Sequence, residues 1–117
     1  MTEPARILVV EDDREIGTTL CEVLRDRGYE VELVANGAEA IEHLESSALP
    51  QCVLVDLLMP GIVGQELLEY LRTDDRLASI PVAIVSGSPH LAPDGYPVFR
   101  KPLQLRPLLE FLRQECK

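Results

Sequence analysis

The sequence predicts an α/β fold: a single doubly wound sheet of five parallel strands with helices on both faces. Two observations carry this. Short apolar, β-rich runs recur along the chain with amphipathic stretches between them, the alternation that builds a parallel sheet. Three of those runs, RILVV (6–10), CVLVD (52–56) and VAIVS (82–86), are continuously apolar, as strands covered on both faces must be. The 117 residues suffice for one such core without disulfide or metal staples, and no linker, repeat or low-complexity stretch divides them.

The elements follow in order. RILVV is strand one and runs into three consecutive acids, Glu11, Asp12 and Asp13. Ile16, Leu20, Val23 and Leu24 then keep helical spacing, and Gly28 stands where a C-terminal cap belongs. VELV (31–34) is strand two, and Asn36 can cap a second helix carrying Ala40, Ile41 and Leu44. CVLVD is strand three, Leu67, Leu68 and Leu71 mark a third helix, and VAIVS is strand four. A crossover helix should follow, but Pro89, Pro93, Gly95 and Pro97 interrupt SGSPHLAPDGYP (86–97), leaving room for one turn at most. A short strand VFRK (98–101) precedes a last stripe of Leu105, Leu108, Leu109 and Leu112. Pro107 is tolerated there because it falls in the first helical turn. All these stripes are read as core packing.

Charge and composition narrow the function. Twenty acids against eleven bases give a formal charge of −9, which disfavours a nucleic-acid partner. No apolar run approaches the eighteen or so residues of a membrane span, and MTEPARILVV lacks the pattern of a signal peptide. A cytoplasmic protein bound neither to membrane nor to nucleic acid is expected. Cys21, Cys52 and Cys116 form no CxxC pair and have no His at metal-ligand spacing, so reduced thiols serving as small buried hydrophobes are expected.

In open parallel α/β sheets ligands bind beyond the carboxyl ends of the strands. Strand one ends in the acids, strand three in Asp56, strand four in Ser86 and strand five in Lys101. If those strands are neighbours, the groups converge. Adjacent carboxylates repel one another, and a hard cation such as Mg²⁺, which takes oxygen ligands and welcomes phosphate, offsets the repulsion. A carboxylate beside such a cation can act as nucleophile toward a phosphoryl group, with ammonium and hydroxyl spreading the transferred charge. Asp56 is the expected nucleophile by elimination, the other acids pointing from the rim.

VVEDD (9–13), LVDLLMPGIVGQEL (54–67), IVSGSP (84–89) and KP (101–102) followed by the last helix, taken together, resemble the receiver domains of two-component response regulators, over nearly the whole chain. The resemblance implies a flavodoxin-like sheet of strand order 2-1-3-4-5 and a single receiver domain over residues 1–117. It implies that Glu11 and Asp12 are the acidic pair, Asp12 binding the metal directly and Glu11 through water. Asp56 matches the phosphoacceptor, itself a metal ligand, and the backbone carbonyl of Leu58 the third protein ligand of Mg²⁺. Ser86 matches the hydroxyl that moves toward the phosphoryl group, Lys101 the ammonium that pairs with it, and Pro102 would follow a cis peptide bond. Asp13 falls outside the pair and is read as an N-cap of helix one. His43 and His90 match no family position and are left as surface residues.

Two departures stand out. The step of fifteen from Ser86 to Lys101 is roughly two helical turns shorter than the family's usual spacing, and the fourth crossover helix is what shrinks. Val98 replaces the aromatic that ordinarily swings inward upon phosphorylation, and Phe99 is expected to face the core instead. The implied function is a switch rather than a conventional enzyme. It would take a phosphoryl group from a sensor histidine kinase or a phosphotransfer protein and change its binding to a downstream protein partner that the sequence does not name. The alternative is an interaction module of the same fold that signals whatever its phosphorylation state. A phosphatase of haloacid-dehalogenase type would want a second Asp where Leu58 stands, and a flavin binder would not place three acids where phosphate must sit.

Overall fold

In the computed structural model, which describes residues 4–46, 48–56, 62–87, 95–101 and 104–116 (residues 62–65 by backbone alone), there are five strands and four helices among the described residues. They run β1 Arg6–Val10, α1 Arg14–Asp26, β2 Glu30–Val34, α2 Gly37–Ser46, β3 Cys52–Asp56, α3 Ile62–Thr73, β4 Val82–Ser86, β5 Val98–Arg100 and α4 Leu105–Glu115. The strands form one parallel sheet in the order β2-β1-β3-β4-β5. β1 and β3 are therefore central, and the acids that follow β1 come to lie beside Asp56 at the end of β3.

Alternate residues of the central strands face opposite layers, as the two-residue period of a strand requires. Leu8, Val10, Val53, Val55 and Ile84 pack under α2 and α3 with Leu44, Leu67, Leu68 and Leu71. Ile7, Val9, Leu54 and Ala83 pack under α1 and α4 with Leu24, Leu108 and Leu112. Both faces are covered, which is why these runs are apolar throughout.

Local chemistry sets the helix ends. Asp13 caps α1, its Oδ1 accepting from the Ile16 N–H at 3.1 Å. Asn36 does the same for α2, accepting from the Glu39 N–H at 2.9 Å, while Glu39 reaches back to the Ala35 N–H. α1 ends on a Schellman arrangement, with Tyr29 N–H donating to Leu24 O and Gly28 N–H to Arg25 O. Gly28 takes φ +93° there, a left-handed conformation that glycine adopts without a Cβ penalty. α3 gives way to a tight turn in which Leu77 and Ala78 both donate to Asp74 O, an element the sequence reading does not anticipate.

Several expectations need correcting. Ile16 and Leu105 are exposed, at 45% and 38%, rather than core members. The buried seam of α1 runs through Gly17, Cys21 and Leu24 instead, because Gly17 lets the helix settle closely on Leu33. His43 is half-buried on α2, and His90 lies outside the described residues. Phe99 does turn inward, meeting Phe111 edge-on with ring centroids 5.6 Å apart, while Val98 stays exposed. Among the described residues no helix lies between β4 and β5, and none is long and apolar enough to cross a membrane. All three cysteines are free and buried.

Candidate functional site

The polar residues at the carboxyl ends of β1, β3 and the β5 strand meet on one spot. Glu11 follows β1, and its backbone N–H donates to Val34 O, so β2 fixes where it leaves the sheet. Asp56 is the last residue of β3, in register with Val85 of β4. Lys101 follows β5, its backbone N–H donating to Ser86 O at 2.9 Å. Its Nζ lies 2.6 Å from Asp56 Oδ2 and 3.7 Å from Glu11 Oε1. Ser86 is buried at the end of β4, one residue beyond the partner of Asp56.

The carboxylates crowd together. One oxygen from each of Glu11, Asp12 and Asp56 can be chosen so that all lie within 4.8 Å of one another. Of these only Asp12 is exposed; the side chains of Glu11 and Asp56 are 5% and 4% accessible. Glu11 thus does not point from the rim, and accessibility alone does not single out Asp56. What distinguishes Asp56 is its place at the end of the central strand and its short ion pair with Lys101.

Burial is the main cause that pushes the Glu11 carboxyl up to about 8, reinforced by a hydrogen bond shared with Asp56 and by repulsion from that carboxylate. The Asp13 N–H, donating to Glu11 Oε2 at 3.1 Å, and the Lys101 ammonium oppose the shift. Asp56 Oδ1 is buried, and among the described residues no N–H or O–H donates to it. A buried carboxylate oxygen without a donor is costly unless a proton or cation lies beside it. Three carboxylates around an under-satisfied oxygen suit a hard divalent cation, so the donor set fits Mg²⁺. Leu58, whose carbonyl the resemblance adds to that set, lies outside the described residues, as does Pro102.

Glu11, Asp56 and Lys101 also border a cavity of about 200 Å³ whose remaining lining is apolar and includes Ile16 and Leu20 of α1. This is where the exposed Ile16 belongs: over the site, not in the core. Gly17 is a positioning residue that the apolar stripe of α1 does not reveal. A Cβ there would sit 2.7 Å from Leu33 Cδ1 and 3.3 Å from Glu11 Cγ, so glycine keeps α1 close without displacing Glu11. A small residue on the buried seam, one turn beyond the N-cap, was the available signal.

Known proteins match this arrangement. Residues 7–93 match the response regulator receiver domain, a span that includes Glu11, Asp12, Asp56 and Ser86 and ends before Lys101. The chain is 36% identical over 87 residues to response regulator Rre1 of Synechocystis sp., covering 74% of this chain and 37% of that protein. It is 32% identical over 83 residues to protein Rrf1 of Nitratidesulfovibrio vulgaris, covering 71% of this chain and 59% of that protein. The match thus spans less than two thirds of either relative. Among solved structures, the receiver domain from the hybrid histidine kinase CckA superposes with a TM-score of 0.78 at 34% identity, covering 97% of this chain and 100% of that one. Response regulator TrrA of Thermotoga maritima, solved in complex with Mg²⁺-BeF, gives 0.81 at 28% identity, covering 94% and 97%. By sheet order, by site and by these likenesses, the chain belongs to the response regulator receiver domain family.

Proposed function

We propose that the chain is a phosphoacceptor switch of a two-component system, receiving a phosphoryl group on Asp56 from a sensor histidine kinase or a phosphotransfer protein. The observation that carries this reading is the buried Asp56, with one oxygen on the Lys101 ammonium and the other accepting no hydrogen bond among the described residues. An Asp56 oxygen forms the new bond to phosphorus as the bond from phosphorus to the donor's nitrogen breaks. The donor keeps that electron pair, and an acyl phosphate results. Lys101 turns from the carboxylate to the incoming phosphoryl oxygens, holding the charge that Asp56 gives up, and the Ser86 hydroxyl donates to the same oxygens.

Glu11, Asp12 and Asp56, with the Leu58 carbonyl, would hold Mg²⁺, which supplies charge neutralisation among the acids and polarises the phosphoryl group. The Mg²⁺-BeF complex of the Thermotoga relative supports that assignment. We take the domain as residues 1–117, beyond the matched segment, because Leu108, Leu112 and Cys116 are buried in the same layer as Val9 and Leu54. The domain is a switch, not a conventional enzyme, and phosphorylation changes its affinity for a downstream protein.

Incubation with a small-molecule phosphodonor and Mg²⁺ tests this by intact mass. One phosphoryl group should be gained, and none in Asp56→Asn. Phosphorylation of that variant to the parent's extent would overturn the assignment.

A further inference from the structure

At the opposite end of the central strand from Asp56 two thiols, 64 residues apart in sequence, come together. Cys52 opens β3 and is fully buried. Cys116 follows the last residue of α4 and is 4% exposed. The Cys116 Sγ lies 3.7 Å from Arg6 O, the same carbonyl that accepts from the Gln51 N–H at 2.8 Å, and Cys52 is the next residue, in register with Ile7. The two thiols lie within one buried layer, both against the backbone at Arg6 and Ile7. Cys21, in the same layer, is without this pairing among the described residues.

We propose that Cys52 and Cys116 are a redox modification site that closes to a disulfide under oxidising conditions. Cys116 is the attacking sulfur. It sits at a helix end, where fraying gives access that the centre of the sheet never has. Cys52, fully buried on the central strand, stays protonated until its partner has reacted. With a small disulfide such as glutathione disulfide as oxidant, the Cys116 thiolate attacks one sulfur and expels a thiolate. Cys52 then attacks the Cys116 sulfur of the mixed disulfide and expels the second. Two protein thiols become one disulfide, and the oxidant leaves as two thiols carrying the two protons. The cross-link would fasten α4 to the central strand at its start, roughly 13 Å from Asp56 at its end. Redox state and phosphorylation would then act on opposite ends of β3.

Exposure of the full chain to glutathione disulfide, followed by alkylation and intact mass, tests this. The protein should lose the mass of two hydrogens, and alkylatable thiols should fall from three to one, the survivor being Cys21. Non-reducing digestion should join the peptides bearing residues 52 and 116. Tm should rise by roughly 10 °C, reversed by dithiothreitol. Cys116→Ser, a change at the chain's last turn, should abolish the loss of hydrogens, and Cys52→Ser should stop at a glutathione adduct on Cys116. Three alkylatable thiols after oxidation, adducts without an internal bond in the parent, or a cross-link involving Cys21 would each overturn the proposal.

Discussion

Glu11 makes the metal-free protein sensitive to pH near neutrality, and the sign follows from the geometry. Its carboxyl titrates at about 8 when folded, against 4.5 for a free glutamate, because it is buried against Asp56. The folded state therefore binds this proton more tightly than the unfolded state does. The resulting stabilisation is complete below the unfolded value and is lost as pH rises toward about 8. Between about pH 6 and about pH 8 this single group removes about 2 kcal/mol. Glu11→Gln has the shape of the protonated form and an amide that can donate to Asp56 in place of the lost proton. It should show none of that loss and be the more stable protein at pH 8. Urea unfolding of parent and variant without divalent metal, at half-unit steps of pH, measures the difference, and titrating groups that do not touch Glu11 cancel in the comparison. If the two curves stay parallel, Glu11 is not the buried acid described here. Mg²⁺ adds a second arm, because a cation at this site must displace the same proton. Affinity in the parent should weaken about tenfold for each unit of pH below about 8 and level off above it.

Three further perturbations act on separate parts of the molecule. Lys101→Ala leaves the Asp56 and Glu11 carboxylates without their ammonium, and should cost about 2–4 kcal/mol in urea unfolding at pH 8 while tightening Mg²⁺ binding by calorimetry. Unchanged stability would mean that the ion pair is solvated. Asp13→Ala removes the α1 cap and should cost about 1 kcal/mol without altering Mg²⁺ affinity, which would separate its role from that of Asp12. Gly28→Ala meets no atom within 4 Å but forces a Cβ onto φ +93°. It should lower stability by about 1–2 kcal/mol from backbone strain alone, with Gly28→Asn intermediate.

The strands were legible because burial on both faces writes itself as an uninterrupted apolar run. β1, β3 and β4 cover the residues of RILVV, CVLVD and VAIVS. The caps were legible for an equally local reason, since Asp13 and Asn36 each satisfy an N–H three residues on. Convergence of Glu11, Asp56 and Lys101 followed from strand ends once the sheet order was supposed. What composition and spacing could not convey was depth. Glu11, expected at the rim, lies inside, while Ile16 and Leu105, expected in the core, lie outside, because helical periodicity gives a stripe's spacing but not its rotation. Gly17 decides that rotation for α1, and its effect depends on Leu33, sixteen positions away. The contact between Cys52 and Cys116 likewise belongs to tertiary structure and leaves no trace in cysteine spacing.

Lys101 is held at both ends: its backbone N–H on Ser86 O, its Nζ on Asp56 Oδ2. Mechanically it is a strut between the chemistry and the sheet's edge strand. β5 contributes only three residues and pairs with β4 alone, so a pull along that strut is resisted chiefly by Phe99 against Phe111. Among the described residues, a change of charge at Asp56 would meet the outer edge of the sheet first through this side chain.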